Sequence, residues 1–147
     1  MSRRSSILKA FAERLKEIDG TGAFHTNLYD NAYPYLKFWD EVNNFPSIYL
    51  SPGTEVREYL PGAFKWGYLS VSIKAYVKGD DPQSQLENLL EDIERVIDST
   101  ETRQMLYDID KAYSTTEMSI TSITTDEGLL APYGVGEITI QVRYQIM

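Results

Sequence analysis

Cysteine is absent from this chain of 147 residues, and histidine occurs once, at position 25. Without thiols there are no disulfides, no iron–sulfur clusters, no thiolate zinc sites and no cysteine nucleophile. A single imidazole removes every two-histidine metal site. It leaves one candidate base, His25, which reads first as an ordinary strand or loop residue. Long hydrophobic runs are also missing: no stretch reaches the roughly 18 apolar residues of a membrane span. Basic residues are in deficit, 14 against 22 acidic, for a net charge of −8. Proteins that grip nucleic acid through its phosphates carry a basic stripe. This balance suits a soluble, self-repelling domain, or a surface that nucleic acid passes without being held. Arg3 and Arg4 make the N-terminus basic, as in a signal peptide. Lys9, Glu13, Arg14 and Lys16 then interrupt any apolar segment, which argues against secretion.

What is present is regular patterning. Ile7, Leu8, Phe11, Leu15 and Ile18 recur at spacings of three and four, predicting an amphipathic helix over 5–18 that stops at Gly20. Arg3 and Arg4 precede it as either a solvated tail or a contact for an acidic partner. Residues 23–29 read as a first strand, and Leu36, Trp39 and Val42 fit a short helix after Pro34. Around them Tyr29, Tyr33, Tyr35, Phe38, Trp39 and Phe45 form an aromatic block. Without a basic groove, such a block is core or subunit interface and not a platform for stacking bases. A short strand from Phe45 ends in a Pro52-Gly53 turn, and a second runs from Val56 to Leu60 before Pro61-Gly62.

Residues 64–78 predict the longest strand. Leu69, Val71, Ile73, Ala75 and Val77 form its apolar face; Trp66, Tyr68, Ser70, Ser72, Lys74, Tyr76 and Lys78 lie opposite. Asp81 and Pro82 then start a helix over 82–98 with Leu86, Leu89, Leu90, Ile93, Val96 and Ile97 as one stripe. Glu87, Glu91, Asp92 and Glu94 are placed on its outer side, with Glu91 and Arg95 paired. Residues 105–113 mix helical and strand features, and 116–124 read as a strand. A turn bearing Gly128, Pro132, Gly134 and Gly136 leads into strict alternation, with Ile138, Ile140, Val142, Tyr144 and Ile146 on one side. No repeat or linker interrupts the chain, so it reads as one domain.

Catalytic motifs are missing. Gly134-Val-Gly136 lacks a third glycine and precedes a strand, unlike a dinucleotide fingerprint. There is no phosphate-binding P-loop and no nucleophile elbow. Asp108-Ile-Asp110 and Asp126-Glu-Gly128 have too few oxygen ligands for a calcium loop and read as solvated turns. Neither cofactor nor metal is implied, and enzyme activity is not expected.

Three passages carry a family resemblance: residues 45–55, FPSIYLSPGTE; residues 71–86, VSIKAYVKGDDPQSQL; and the stretch from Ile123 through Gly128 to Tyr144. With the order of elements, they make the chain resemble the tail terminator proteins of long-tailed bacteriophages. The resemblance implies an α+β fold, a single domain with a mixed or antiparallel sheet and two main amphipathic helices packed on one face. It also implies a hexameric ring that caps the tail tube, stops its polymerisation and offers the head-neck connector a docking surface. DNA would pass through without specific binding. The protein would belong to the virion tail or neck, assembled in the host cytoplasm, with no membrane partner.

Two half-polar sheet faces would supply the complementary patches of a ring subunit. Trp66, Tyr68 and Tyr76 lie on one, Arg143 and Gln145 on the other. Tyr59, Phe64, Trp66 and the 126–136 loop, with Asp126, Glu127 and Tyr133, are expected at subunit or tube contacts. The apolar faces of 65–78 and 137–146 are expected beneath the helices at 5–18 and 82–98. The alternatives are another neck or tail component, such as a head-completion protein, an adaptor or a tube subunit, or a small-molecule enzyme or binding module built on His25.

Overall fold

The computed structural model describes residues 2–146. Helix α2 (Pro82–Ile97) forms where the pattern places it. The Asp81 side chain accepts from the Ser84 N–H, and Pro82 occupies the first turn, where its missing N–H is no loss. Its leucine–isoleucine stripe is fully buried. Helix α1 (Arg3–Leu15) starts earlier than the pattern suggested, because Ser2 caps it by accepting from Ser5 N–H at 3.1 Å. Arg3 and Arg4 are therefore first-turn residues and not a loose tail, and the Arg4 guanidinium donates to the Gly53 carbonyl. The helix also ends earlier, at Leu15, and Ile18 is buried in the following turn.

Six strands form one sheet: β1 (Ala32–Tyr33), β2 (Ser47–Leu60), β3 (Phe64–Lys78), β4 (Leu106–Asp108), β5 (Tyr113–Thr125) and β6 (Tyr133–Ile146). Their order is β1-β2-β3-β6-β5-β4. Only β1 and β2 are parallel, so the sheet is mixed and the fold α+β. Cross-strand pairs Ile73↔Ile138, Val71↔Ile140 and Leu69↔Val142 align the apolar sides of β3 and β6. These residues are almost wholly buried beneath α2, while α1 spans from β1 and β2 towards β4. Gly134 and Gly136 let α2 approach: a Cβ on Gly134 would stand 2.8 Å from the Pro82 carbonyl, and one on Gly136 3.1 Å from a Leu86 methyl.

Several sequence expectations are corrected. Residues 23–29 form a loop with one isolated bridge, Asp19↔Asn27. The reason is Asp92, placed on the solvated side of α2 by the pattern but 0% exposed in the fold. Its carboxylate accepts from His25 N–H at 2.9 Å and Thr26 N–H at 2.8 Å, so those donors are unavailable to a strand ladder. Pro52-Gly53 is a bulge and not a turn, and β2 runs through it unbroken. A proline is tolerated there because β1 pairs only with Ile48 and Tyr49, leaving Pro52 on a free edge. The chain reverses instead at 61–63, where Gly62 and Ala63 take positive φ. The short helix after Pro34 is a single 3₁₀ turn, Trp39–Glu41; a one-turn helix, α3 (Thr100–Arg103), follows α2, and the mixed stretch 105–113 holds β4 and the first residue of β5.

The sheet's second side is covered only at one end. There Tyr49 and Tyr76 are buried with Val42 under the 29–46 segment, flanked by Tyr33 and Phe45. Tyr76, expected on a half-polar open face, is thus part of a small aromatic core, its hydroxyl donating to the Lys37 carbonyl at 2.6 Å. Burial pushes that hydroxyl up to about 12.

Candidate assembly surfaces

The β2–β3 hairpin extends beyond the helices as an arm, residues 53–66, in which most side chains are exposed. Register divides its faces. Val56↔Tyr68, Glu58↔Trp66 and Leu60↔Phe64 lie on the side away from the helices; Arg57↔Gly67 and Tyr59↔Lys65 lie on the helix side. Val56 is 61% exposed, Tyr59 68% and Phe64 55%. Large apolar groups are thus left in water on both faces of the ribbon, which makes it a candidate contact surface.

The root of the arm is anchored by polar groups. At the bulge, Glu55 accepts from the Tyr144 hydroxyl at 2.5 Å and from Arg57 Nε at 2.8 Å. Those hydrogen bonds hold its carboxyl below its ordinary value against the opposing effect of burial. Arg4 grips the same bulge through the Gly53 carbonyl. The arm is thus tied to helix α1 and to the core tyrosine of β6.

From the root of the arm onwards the open face is mostly polar and near-neutral. Trp66, Tyr68, Ser70, Ser72 and Lys74 on β3 are half-buried, as are Thr139, Gln141, Arg143 and Gln145 on β6. Lys74 pairs with Glu137. Arg143 lies over the Trp66 ring, 4.8 Å from its centroid, and donates to Thr116 Oγ1 at 2.8 Å. Arg103 grips Glu117 with two bonds, at 2.7 and 2.9 Å, which pull the Glu117 carboxyl down to about 2.

The eight residues singled out from the sequence fall into two groups at opposite ends of the sheet. Tyr59, Phe64, Trp66, Tyr68 and Arg143 gather at the arm. Asp126, Glu127 and Tyr133 sit at the far end, where Tyr133 opposes Lys78. Asp126 organises its own loop, accepting from Gly128 N–H and Leu130 N–H at 3.3 Å each. Glu127 is exposed at positive φ. Tyr133 packs on Trp39 and Phe45, with the Lys78 ammonium over its ring. Beside this loop Leu129 is 84% exposed. Sequence reading placed Leu129 only within the 126–136 loop and passed over Val56 and Leu60, which were legible only as strand residues whose apolar side lacked an assigned neighbour.

His25 lies on the surface beside α2. Its imidazole is half-exposed, with Nε2 3.1 Å from the exposed carboxylate of Glu91. It borders a shallow hollow of about 210 Å³ with Thr26, Pro46, Lys78, Gln85 and Asn88. Among the described residues Glu91 is the one acid hydrogen-bonded to the ring, and neither Thr26 nor Lys78, which line the same hollow, is hydrogen-bonded to it.

The model of a family described as Bacteriophage Tail Tube Terminator Protein matches residues 1–147. The tail tube terminator protein p142 of Escherichia phage T5 is 39% identical over 155 residues, spanning 99% of this chain and 95% of that protein.

Proposed function

Since this chain belongs to the bacteriophage tail tube terminator family, and is a structural component of the virion tail that ends the tube, we propose that it does so as a closed hexameric ring seated on the last ring of tube subunits. The ring stops further addition and presents its opposite rim to the head-neck connector. Assembly takes place in the host cytoplasm, and no catalysis is involved.

The observation that carries this reading is the arm. A ring built from identical copies needs two different patches on each copy, so that each contact leaves another patch free for the next. The apolar arm and the opposite flank of the sheet are such a pair, different in composition and lying apart. The 126–136 loop, with Leu129, Glu127 and Tyr133, stands at the other end of the strands and is free to meet the tube or the connector. A near-neutral face of Ser, Thr, Gln and paired charges suits a conduit, because it offers no unbalanced row of cations to hold phosphates.

Mixing the protein with polymerising tube protein tests the proposal. A terminator shortens the tubes and appears once, as a cap, at one end. A tube subunit would instead be incorporated along the whole length, and a protein without a tail role would leave the length distribution unchanged.

A further inference from the structure

Both lateral edges of the sheet are open over long stretches. β1 pairs only with Ile48 and Tyr49 of β2, so beyond Pro52 no strand lies outside β2 among the described residues. On the other side β4 pairs only with Tyr113 and Ser114 of β5, so the edge of β5 is likewise open from Met118 to Thr125. Open edges expose unpaired N–H and C=O groups, and soluble proteins normally protect them with charge, proline or a covering element. The stretch Met118-Ser-Ile-Thr-Ser-Ile-Thr-Thr125 has no charged residue, no proline and no glycine. In a chain of net charge −8 this is a conspicuous gap in protection.

The two edges are mutually suited. Register places Tyr59 and Ile123 on the same side of the sheet, facing the helix layer; Tyr59 opposes Lys65, and Ile123 opposes the buried Ile138. Each is a large apolar side chain left uncovered at its edge, 68% and 45% exposed. On the other side, Glu58, Ser122 and Thr124 are polar and exposed. Direction also agrees. Strand sense alternates from β2 through β3, β6 and β5, so β5 runs opposite to β2. Rotation about a ring axis to which the strands are inclined, as in a closed barrel, preserves that sense and offsets neighbouring sheets along their length. Without the incline Val56 would stand level with Glu117; with it the far half of β2 meets the far half of β5 of the next copy in antiparallel fashion.

We infer that the open edge of β2, Gly53–Leu60, in one copy pairs antiparallel with the open edge of β5, Met118–Thr125, in the next copy, joining the sheets around the ring. This rests on the ring reading and specifies its contact. Main-chain bonds supply the continuity, and Tyr59 covers Ile123 of the neighbouring copy. Arg4 and the Glu55–Tyr144 bond set the angle at which the arm leaves the body. The bulge between Ile120 and Ser122 bends β5, as a closing sheet requires.

The absence of native cysteine permits a direct test. Glu58→Cys and Ser122→Cys are introduced together and singly into the full chain, which is treated with a short bismaleimide both free and bound to tube ends. The expected result is a ladder of covalent multimers from the double variant, at least tenfold above either single variant. Ile123→Lys on the double-cysteine background abolishes the ladder while its thermal transition stays cooperative. Protein that caps tubes without a ladder overturns the edge pairing and leaves the terminator ring standing. Protein that neither caps tubes nor cross-links overturns both. A ladder equally strong in the Ser122→Cys single variant overturns the head-to-tail arrangement in favour of a symmetric contact.

Discussion

The Arg143 guanidinium covers the Trp66 ring from 4.8 Å, across the β3–β6 boundary and on the side of the sheet away from the helices. Neither residue is part of the main core. The pair is a flat, amphipathic tile at the root of the arm: the indole supplies area, and the guanidinium keeps donors to spare for a partner. A surface tile of this kind contributes little to the monomer and much to a contact that dehydrates it.

Trp66→Ala therefore separates assembly from folding. Loss of a half-buried indole with its cation–π contact costs about 1–3 kcal/mol, and each kcal/mol lowers the melting temperature of a domain of this size by roughly 2–4 °C. Ring formation and tube capping, measured by light scattering and by tube lengths in negative stain, are expected to fall much further. A variant that loses its cooperative transition would place Trp66 in the core and remove it from the interface.

Asp92 is the opposite case, a polar residue whose whole role is internal. Its buried carboxylate holds the His25 and Thr26 amides and so ties the 19–31 loop to α2. Asp92→Ala leaves those donors unsatisfied and removes a charge-assisted acceptor, an expected loss of about 2–4 kcal/mol. Asp92→Asn, which keeps one acceptor oxygen, is expected to lose less. Urea midpoints of the two variants against the parent protein decide the order.

How far the fold was legible follows the same division between local and long-range causes. α2, β3 and β6 were readable because their periods, Asp81-Pro82 and the alternation from Ile138 to Ile146, are local signals. Asp92 was misplaced because its position on the helix wheel borders the polar face, and the loop that buries it lies more than sixty residues earlier in the chain. Pro52-Gly53 looked like a turn because its dipeptide usually is one. What keeps β2 straight is the pairing to β3 on either side of the bulge, with Arg4 and Tyr144 as distant anchors. Of the candidate surface, the aromatics at 59–68 were visible in the sequence. The open edges were not, since edge status depends on strand order.

Gly134 tests how closely α2 is seated. A methyl group there would lie 2.7 Å from a Val77 methyl and 2.8 Å from the Pro82 carbonyl, a backbone atom that cannot rotate away. Gly134→Ala is expected to displace the start of α2 and destabilise by about 1–3 kcal/mol, the usual range for overpacking. Gly22→Ala is the comparison: its Cβ meets nothing within 4 Å, so any loss there comes from its positive φ alone. The contrast is read from denaturant midpoints, with the slope of the transition unchanged in both.

Acid sensitivity is expected to centre on Glu117. Its folded carboxyl titrates near 2, against an ordinary 4.5, because the Arg103 fork and the Met118 amide favour the charged form. A depressed folded value means that the unfolded chain takes up the proton first as pH falls. The contribution is complete above about 4.5 and is lost progressively down to about 2. With Arg103 and Glu117 side chains 44% and 43% exposed, solvent screening limits it to about 1 kcal/mol. Glu117→Gln should therefore lower stability at neutral pH by that amount and flatten the decline between pH 4.5 and 2. Parallel acid limbs for variant and parent, in urea titrations at a series of pH values, would show that the fork adds nothing to the folded state and serves only to hold Glu117 still beside β6.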